Sequence, residues 1–280
     1  MASDQIRNPF KSQDCVVSLA TLEHMAARGD ITGASRVGIT AWNESVANGT
    51  VEDVWPLGGT YIWPTSAATI SVVSDNDSDS FSAGGSGAQK VAIEGLDENW
   101  LTITETVNVS GTVANTTSQT FLRVNKAQVV QRGTYTGANL GTITLTHGGT
   151  STAACVIPMA GDFGGNGVSA QSHYCVPKDK IAFLYYLTFN ADAAKPADVA
   201  GNVRTNDTTQ IPAAAGPPWL GIDNHQLLWH QLPQFAQFDI QNSPFLFPGG
   251  TDFWFQAEGE GAITEVAINL GLYVFDNPDF

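Results

Sequence analysis

Positive charge is what this sequence has least of. Only 12 of its 280 residues are Lys or Arg, against 27 Asp or Glu, and the formal net charge is −15. A phosphate-binding surface needs the opposite sign, and the basic residues are scattered, so no nucleic-acid partner is expected. An anionic membrane surface would repel the chain as well. No apolar run reaches the roughly 18 residues of a membrane-spanning helix. No apolar stretch follows Met1, so no secretory leader is read and synthesis in a cytosol is expected. Cysteine is scarce too: Cys15, Cys155 and Cys175 are widely spaced, with no CxxC. That argues against a zinc knuckle or redox motif and for buried free thiols.

Catalytic motifs are missing in the same way. "GGSGA" and "GVSAQ" both fail the Gly-x-Ser-x-Gly pattern, and neither sits between a strand and a helix. "GDFGGNG" lacks the Lys-Ser/Thr of a phosphate loop. His225 and His230 are five apart, which misses the one-face spacing of a helical metal pair and puts them on opposite faces of a strand. Nothing nominates a nucleophile or a carboxylate pair. No enzyme, cofactor or metal is therefore expected.

What the chain has is β-structure. Hydrophobic residues make up 42 % and charged residues only 14 %, so Ser, Thr, Asn, Gln and Gly carry the polarity, as suits polar sheet faces. "ATISVVS", "QKVAIEGL" and "LTITETVNVS" alternate, and "DNDSDS", "GLDENW" and "YTGANLG" separate such runs as turns. Longer apolar strands follow in "KIAFLYYLTFNAD", "TDFWFQAEG" and "ITEVAINLGLYVFD". The expected fold class is all-β: two tandem antiparallel β-sandwich or jelly-roll-like domains behind an irregular N-terminal arm. The arm spans residues 1–50, with one short helix at Ser18–Asp30. The first β domain spans 51–164. The Gly-rich stretch around Gly165 leads into the second, 165–280.

Three features are candidates for sites. Asp75, Asp77 and Asp79 occupy positions one, three and five of a calcium loop, but Ser80 and Ser86 stand where Gly and Glu are required. A solvated hairpin loop is the preferred reading. The consecutive Phe253, Trp254 and Phe255 put aromatics on both faces of one strand, which suits an oligomer interface or a domain junction. Seven Trp residues lie mostly in or beside loops. They fill cores and interfaces, or they stack on sugars in a lectin-like site.

The segments "VEDVWPLGGTYIWPTSAATISVVS", "GAQKVAIEGLDENWLTITETVNVSGT" and "SQTFLRVNKAQV", with the closing "PGGTDFWFQAEGEGAITEVAINLGLYVFD", resemble a virion structural protein family of tailed phages of marine and freshwater bacteria. Related pieces occur in large algal viruses. The pattern runs W-x-x-G-G-x-Y-x-W-P, then V-x-I-x-G-L-D-x-x-W, T-E-T-V and F-x-R-V-N-K, and the likeness spans residues 33–275. It brings no catalytic residue.

The resemblance implies a particle component on the virion surface, assembled in the host cytoplasm. The first reading is a capsid decoration or cement protein, homo-oligomeric with a trimer favoured, bound to the major capsid protein or other virion proteins. The second is a tail, collar or fibre-base component that adsorbs to a host-surface glycan. The apolar Ile6, Phe10, Val16 and Val17 make the arm the candidate docking segment. Trp55, Pro56, Trp63, Pro64, Gly95 and Trp100 are read as framework. Each Trp fills a sheet end and each Pro ends ladder pairing. Gly58-Gly59 makes the turn between the Trp-Pro pairs, and Gly95 is expected at a positive φ in the turn before Trp100, which starts the next strand.

Overall fold

The protein is described from a computed structural model. It covers residue 25 and residues 31–82, 84–161, 165–192, 195–206, 225–232, 235–239, 245–261 and 263–277. The arm residues Ile6, Phe10, Val16 and Val17 lie outside these, as does the expected helix apart from Met25.

Among the described residues every element from residue 31 onward is a β-strand, as the alternating runs require. Strands β1 (Ala34–Val46) and β2 (Glu52–Asp53) come first. Next are β3 (Ile70–Ser74), β4 (Ala88–Leu96), β5 (Thr102–Asn108), β6 (Asn115–Thr116), β7 (Arg123–Arg132), β8 (Ile143–His147) and β9 (Thr152–Ile157). The last group is β10 (Tyr174–Cys175), β11 (Lys180–Ala191), β12 (Ala197–Thr205), β13 (His225–Leu232), β14 (Phe235–Asp239), β15 (Phe245–Phe247), β16 (Thr251–Gly259) and β17 (Thr264–Asp276). All named strand pairs are antiparallel.

The strands form four sheets. One runs β1-β17-β11-β14 with β15 on β11, and a second runs β10-β16-β12-β13 with β2 on β16. Both contribute to one hydrophobic core, which includes Leu187, Phe189, Phe253, Phe255, Ile268 and Leu272. The other two sheets, β6-β3-β8-β9 and β5-β4-β7, share a separate core around Ile70, Ile93, Phe121, Ile143 and Leu145.

Tandem order does not hold. Strands β1 and β2 belong to the sheets that residues 174–276 complete, so the β3–β9 unit is nested inside the other. The expected irregular arm gives way at Ala34 to a 13-residue strand. It is locked along β17 from Ala34 opposite Phe275 to Val46 opposite Thr264. Val37, Ile39 and Ala41 alternate there, and Ile39 and Ala41 join the core. Strand β17 is flanked by β1 and β11 and is buried along most of its length. That explains its nearly continuous apolar sequence.

Gly95 is not a turn residue. It lies within β4 at a register shift against β7. A Cβ there would stand 2.0 Å from the Arg123 carbonyl oxygen, so glycine is required by close backbone approach. The positive φ falls instead on Trp100, at 65°, before β5 begins.

Both cores hold fully buried side chains, so truncation is expected to be costly in either. Ile93→Ala and Leu272→Ala, at fully buried positions in different cores, are each expected to cost about 2–5 kcal/mol. Urea or guanidinium midpoints check this. A cost below about 1 kcal/mol at either site would show that its core is not packed as described.

Candidate functional site

The Trp-Pro stretch, the turn at Trp100, the start of β7 and strand β16 meet where the two units join. The link from β2 to β3 supplies Trp55, Tyr61, Trp63 and Pro64. The inner unit supplies Trp100 from its β4–β5 turn and Arg123 from the start of β7. The outer unit supplies Arg204 near the end of β12 and Asp252 and Trp254 from β16. Trp254 and its neighbours Phe253 and Phe255 alternate as a strand must. The two Phe side chains enter the outer core, while Trp254 points to the joint. The two Phe rings are buried within this chain, and Trp254, half-buried, meets Trp63 edge to face.

Asp252 is the hub. It is completely buried, and its carboxylate takes a two-pronged contact from Arg123, with Nε donating to Oδ1 and Nη2 to Oδ2, both at 3.0 Å. Arg204 Nη2 donates to Oδ2 at 2.6 Å and Asn206 Nδ2 at 2.7 Å. Arg123 Nη1 donates to the carbonyls of Pro64, at 2.6 Å, and Leu122, at 3.0 Å. Burial alone would raise the Asp252 pKa, but the bonds and charge of Arg123, with Arg204, outweigh it and hold the carboxyl below its ordinary value.

The guanidinium groups also lie over indole rings. Arg123 Cζ lies 5.0 Å from the ring centres of both Trp63 and Trp100. Arg204 Cζ lies 5.0 Å from Trp63 and 5.6 Å from Trp254. Trp100, Arg123, Trp63 and Arg204 follow one another as a ladder, closed by Trp254, whose ring meets Trp63 edge to face with centres 5.3 Å apart.

Further bonds tie the units. Asn125 of β7 exchanges hydrogen bonds with the Cys175 backbone, at 2.7 and 2.9 Å. Gln171 Nε2 donates to the Val124 and Asn125 carbonyls. The Lys178 N–H donates to the Trp100 carbonyl at 2.8 Å.

The Trp-Pro stretch organises the region behind the ladder. Gly58 and Gly59 have φ of 60° and 66°, a turn that two non-glycine residues would strain. Trp55 Nε1 donates to the Gly58 carbonyl at 2.7 Å, closing the turn. Tyr61 stacks on His173 at 4.1 Å, with Trp55 and Trp63 edge-on to both rings.

The acids of the "DNDSDS" loop have other work. Asp79 does not face water: it is fully buried and accepts bonds from Ser74 Oγ and from the N–H groups of Ala88, Leu140 and Gly141, at 2.7–2.8 Å. Asp75 accepts from the Thr142 N–H, and Asp77 from the Thr112 N–H and hydroxyl. These carboxylates pin loops together. Among the described residues no group of three or more His, Cys, Asp or Glu is placed to hold a metal ion. Cys155 and Cys175 are buried free thiols. His225 and His230 lie on β13, whose side chains fall outside the described ones.

Beside the ladder lies a cleft of about 590 Å³, lined by Ser66, Glu98, Trp100, Arg204 and Asn206 among others. Trp100 stands at its wall in a left-handed backbone conformation that a bulky residue rarely adopts. Asp97 holds the turn, its Oδ1 accepting from the N–H groups of Asn99 and Leu101 at 2.8 and 2.9 Å.

The sequence pattern made Trp63, Trp100 and Arg123 visible. It did not bring forward Asp252, Arg204 or His173. One signal for Asp252 was present: a lone acid in the apolar strand "TDFWFQ" needs a buried cation if it is to stay charged.

No family model and no curated protein matches the chain. Among solved structures it is similar to chains of infectious bursal disease virus. For the Gx strain the identity is 8 % and the TM-score 0.13, over 89 % of this chain and 82 % of that one. For the Gt strain the values are 9 % and 0.12, over 88 % and 77 %. Likenesses of this size carry no argument about fold or function.

Two predictions follow the charges. Asp252→Asn leaves Arg123 buried without its counter-charge and is expected to cost about 3–5 kcal/mol in a denaturant titration. Arg204→Gln, at a side chain 32 % exposed, should cost clearly less.

The second concerns pH. Burial pushes Asp53 up to about 6 against the bond from the Tyr61 N–H, and it pushes His173 down to about 4 against a bond to the Ala154 backbone. The histidine contribution is complete above its ordinary 6.5 and is lost as pH falls toward 4. The aspartate contribution is complete below its ordinary 3.8 and is lost as pH rises toward 6. Near pH 5 the two slopes oppose each other. Asp53→Asn removes one of them, so the variant should lose stability relative to the parent chain between pH 6 and pH 4, by up to about 3 kcal/mol. Urea midpoints across that range read it, and parallel curves would refute the assignment.

Proposed function

We propose that this chain is a non-enzymatic structural protein of a tailed-phage particle, a decoration or cement protein on the capsid surface. The observation that supports this reading is the convergence at the joint. Trp55, Gly58, Gly59, Tyr61, Trp63, Trp100, Arg123 and Trp254 come from four separate segments of the family-like pattern; Trp63, Trp100, Arg123 and Trp254 sit at the contact between the two β units, and the others shape the turn and ring cluster beside it. A signature made of such residues selects for a rigid body rather than for a reaction. In the finer fold reading each pair of sheets is a β-sandwich, the outer one jelly-roll-like, with the inner one inserted between β2 and β10.

A rigid two-part body suits a role across capsomer joints. It adds interface area to the assembled shell and stabilises it by mass action. The partners in this reading are the major capsid protein and further copies of this chain, with a trimer favoured, and residues 1–30 are the docking segment. The second reading, a tail or collar component that adsorbs to host glycans, is favoured by the aromatic, polar cleft beside the joint.

Immunogold labelling of purified virions with antibody to this chain tests the choice. Label spread over the head is the expected result, and deletion of residues 1–30 should then abolish rebinding to stripped particles while the β fold persists. Label confined to tail or neck would replace the decoration reading with the adsorption one, and unlabelled particles would remove both.

A further inference from the structure

We infer that the cleft beside the arginine–tryptophan ladder binds an acidic sugar, a ring bearing one carboxylate and several hydroxyls. The inference deepens the adsorption reading and depends on the cleft alone, so it is tested on the purified chain, independently of where that chain sits on the particle.

The charges at the joint do not balance within the ladder. Two guanidinium groups, Arg123 and Arg204, face one carboxylate, Asp252. Arg123 is buried, and its Nε, Nη1 and Nη2 all donate. Arg204 is different: it is one-third exposed, it lines the cleft, and among the described residues its bond to Asp252 uses Nη2 alone. A partly exposed guanidinium with donors beyond the one spent on Asp252 matches a planar carboxylate.

The rest of the lining sets the class of ligand. The cleft, about 590 Å³, falls in the size range of small-molecule sites. The half-buried Trp100 offers indole surface, and its unfavourable φ of 65° is maintained by the Asp97 turn, a local strain of the kind found at ligand sites. Exposed Ser66 and Glu98 stand at the lining. Glu98 makes no ion pair with either arginine among the described residues, so it is an acceptor for hydroxyl donors. It also disfavours a polyanion, as does the net charge of −15. A neutral sugar would offer the exposed part of Arg204 no anion. A hydroxyl-rich monoanion with an apolar ring face answers all three: carboxylate to Arg204, hydroxyls to Glu98 and Ser66, ring C–H groups to the indole of Trp100.

Titration of the full chain with glucuronic acid, followed by tryptophan fluorescence and by calorimetry, tests this. Saturable binding is expected at about 1 mM or tighter. Glucose, which lacks the carboxylate, and N-acetylglutamate, which lacks the ring, should each bind at least about tenfold more weakly. Arg204→Gln should abolish binding. Since Arg204 also serves the joint, the exposed variants Glu98→Ala and Ser66→Ala are measured beside it, and each should weaken binding about threefold to tenfold with an unchanged thermal transition. Absence of saturable glucuronic acid binding overturns the inference. So does equal affinity for glucose or N-acetylglutamate, or binding that none of the three substitutions alters.

Discussion

The structure depends on one carboxylate. Asp252 is taken out of water at a desolvation cost that neither packing nor the backbone repays, and it remains ionised because Arg123 closes on it with two parallel bonds and Arg204 adds a third. The arginines come from different units. The same electrostatic term that keeps the charge also fixes the nested β3–β9 unit against the sheets that surround it. A hydrophobic contact would tolerate sliding; a forked ion pair between indole faces does not.

Around that pair the other features become intelligible. The Trp-Pro stretch supplies the middle rung of the ladder and caps the ion pair with the Pro64 carbonyl. Gly95 lets the β4 backbone approach Arg123 at the point where the arginine must be aimed across the joint. Trp100 covers the other side of the guanidinium, and its backbone conformation is held by Asp97. The cleft is a consequence of this arrangement: two units meeting at a ladder leave a concavity where the ladder reaches the surface, with the more exposed arginine at its wall.

Much of this was legible in the sequence, and unevenly. The runs 89–96, 180–192, 251–259 and 264–276 were readable as strands because alternation and apolar length are local properties. Strand β1 was legible by the same rule, in Val37, Ile39 and Ala41, but its neighbourhood of Gly, Ser and Asn resembled an arm. Asp75, Asp77 and Asp79 had the spacing of a cation loop. Their carboxylates serve backbone N–H groups that arrive from residues 88, 112 and 140–142, and no local pattern announces such distant donors. Gly95 was singled out correctly as necessary and for the wrong physical reason, since a close approach and a positive φ leave the same glycine in the sequence.

The sequence by itself determined the β class, the strand-forming segments and the acidic balance of charge. Each of these follows from composition or from a period of two along the chain. The tertiary structure alone decided that residue 34 pairs with residue 275, that one unit is nested within the other, and that Asp252 rather than any loop acid is the charge at the centre. Those outcomes depend on which strands and side chains meet across more than a hundred residues. The free energy of such meetings comes from burial and ion pairing in three dimensions, and it leaves no periodic trace in one.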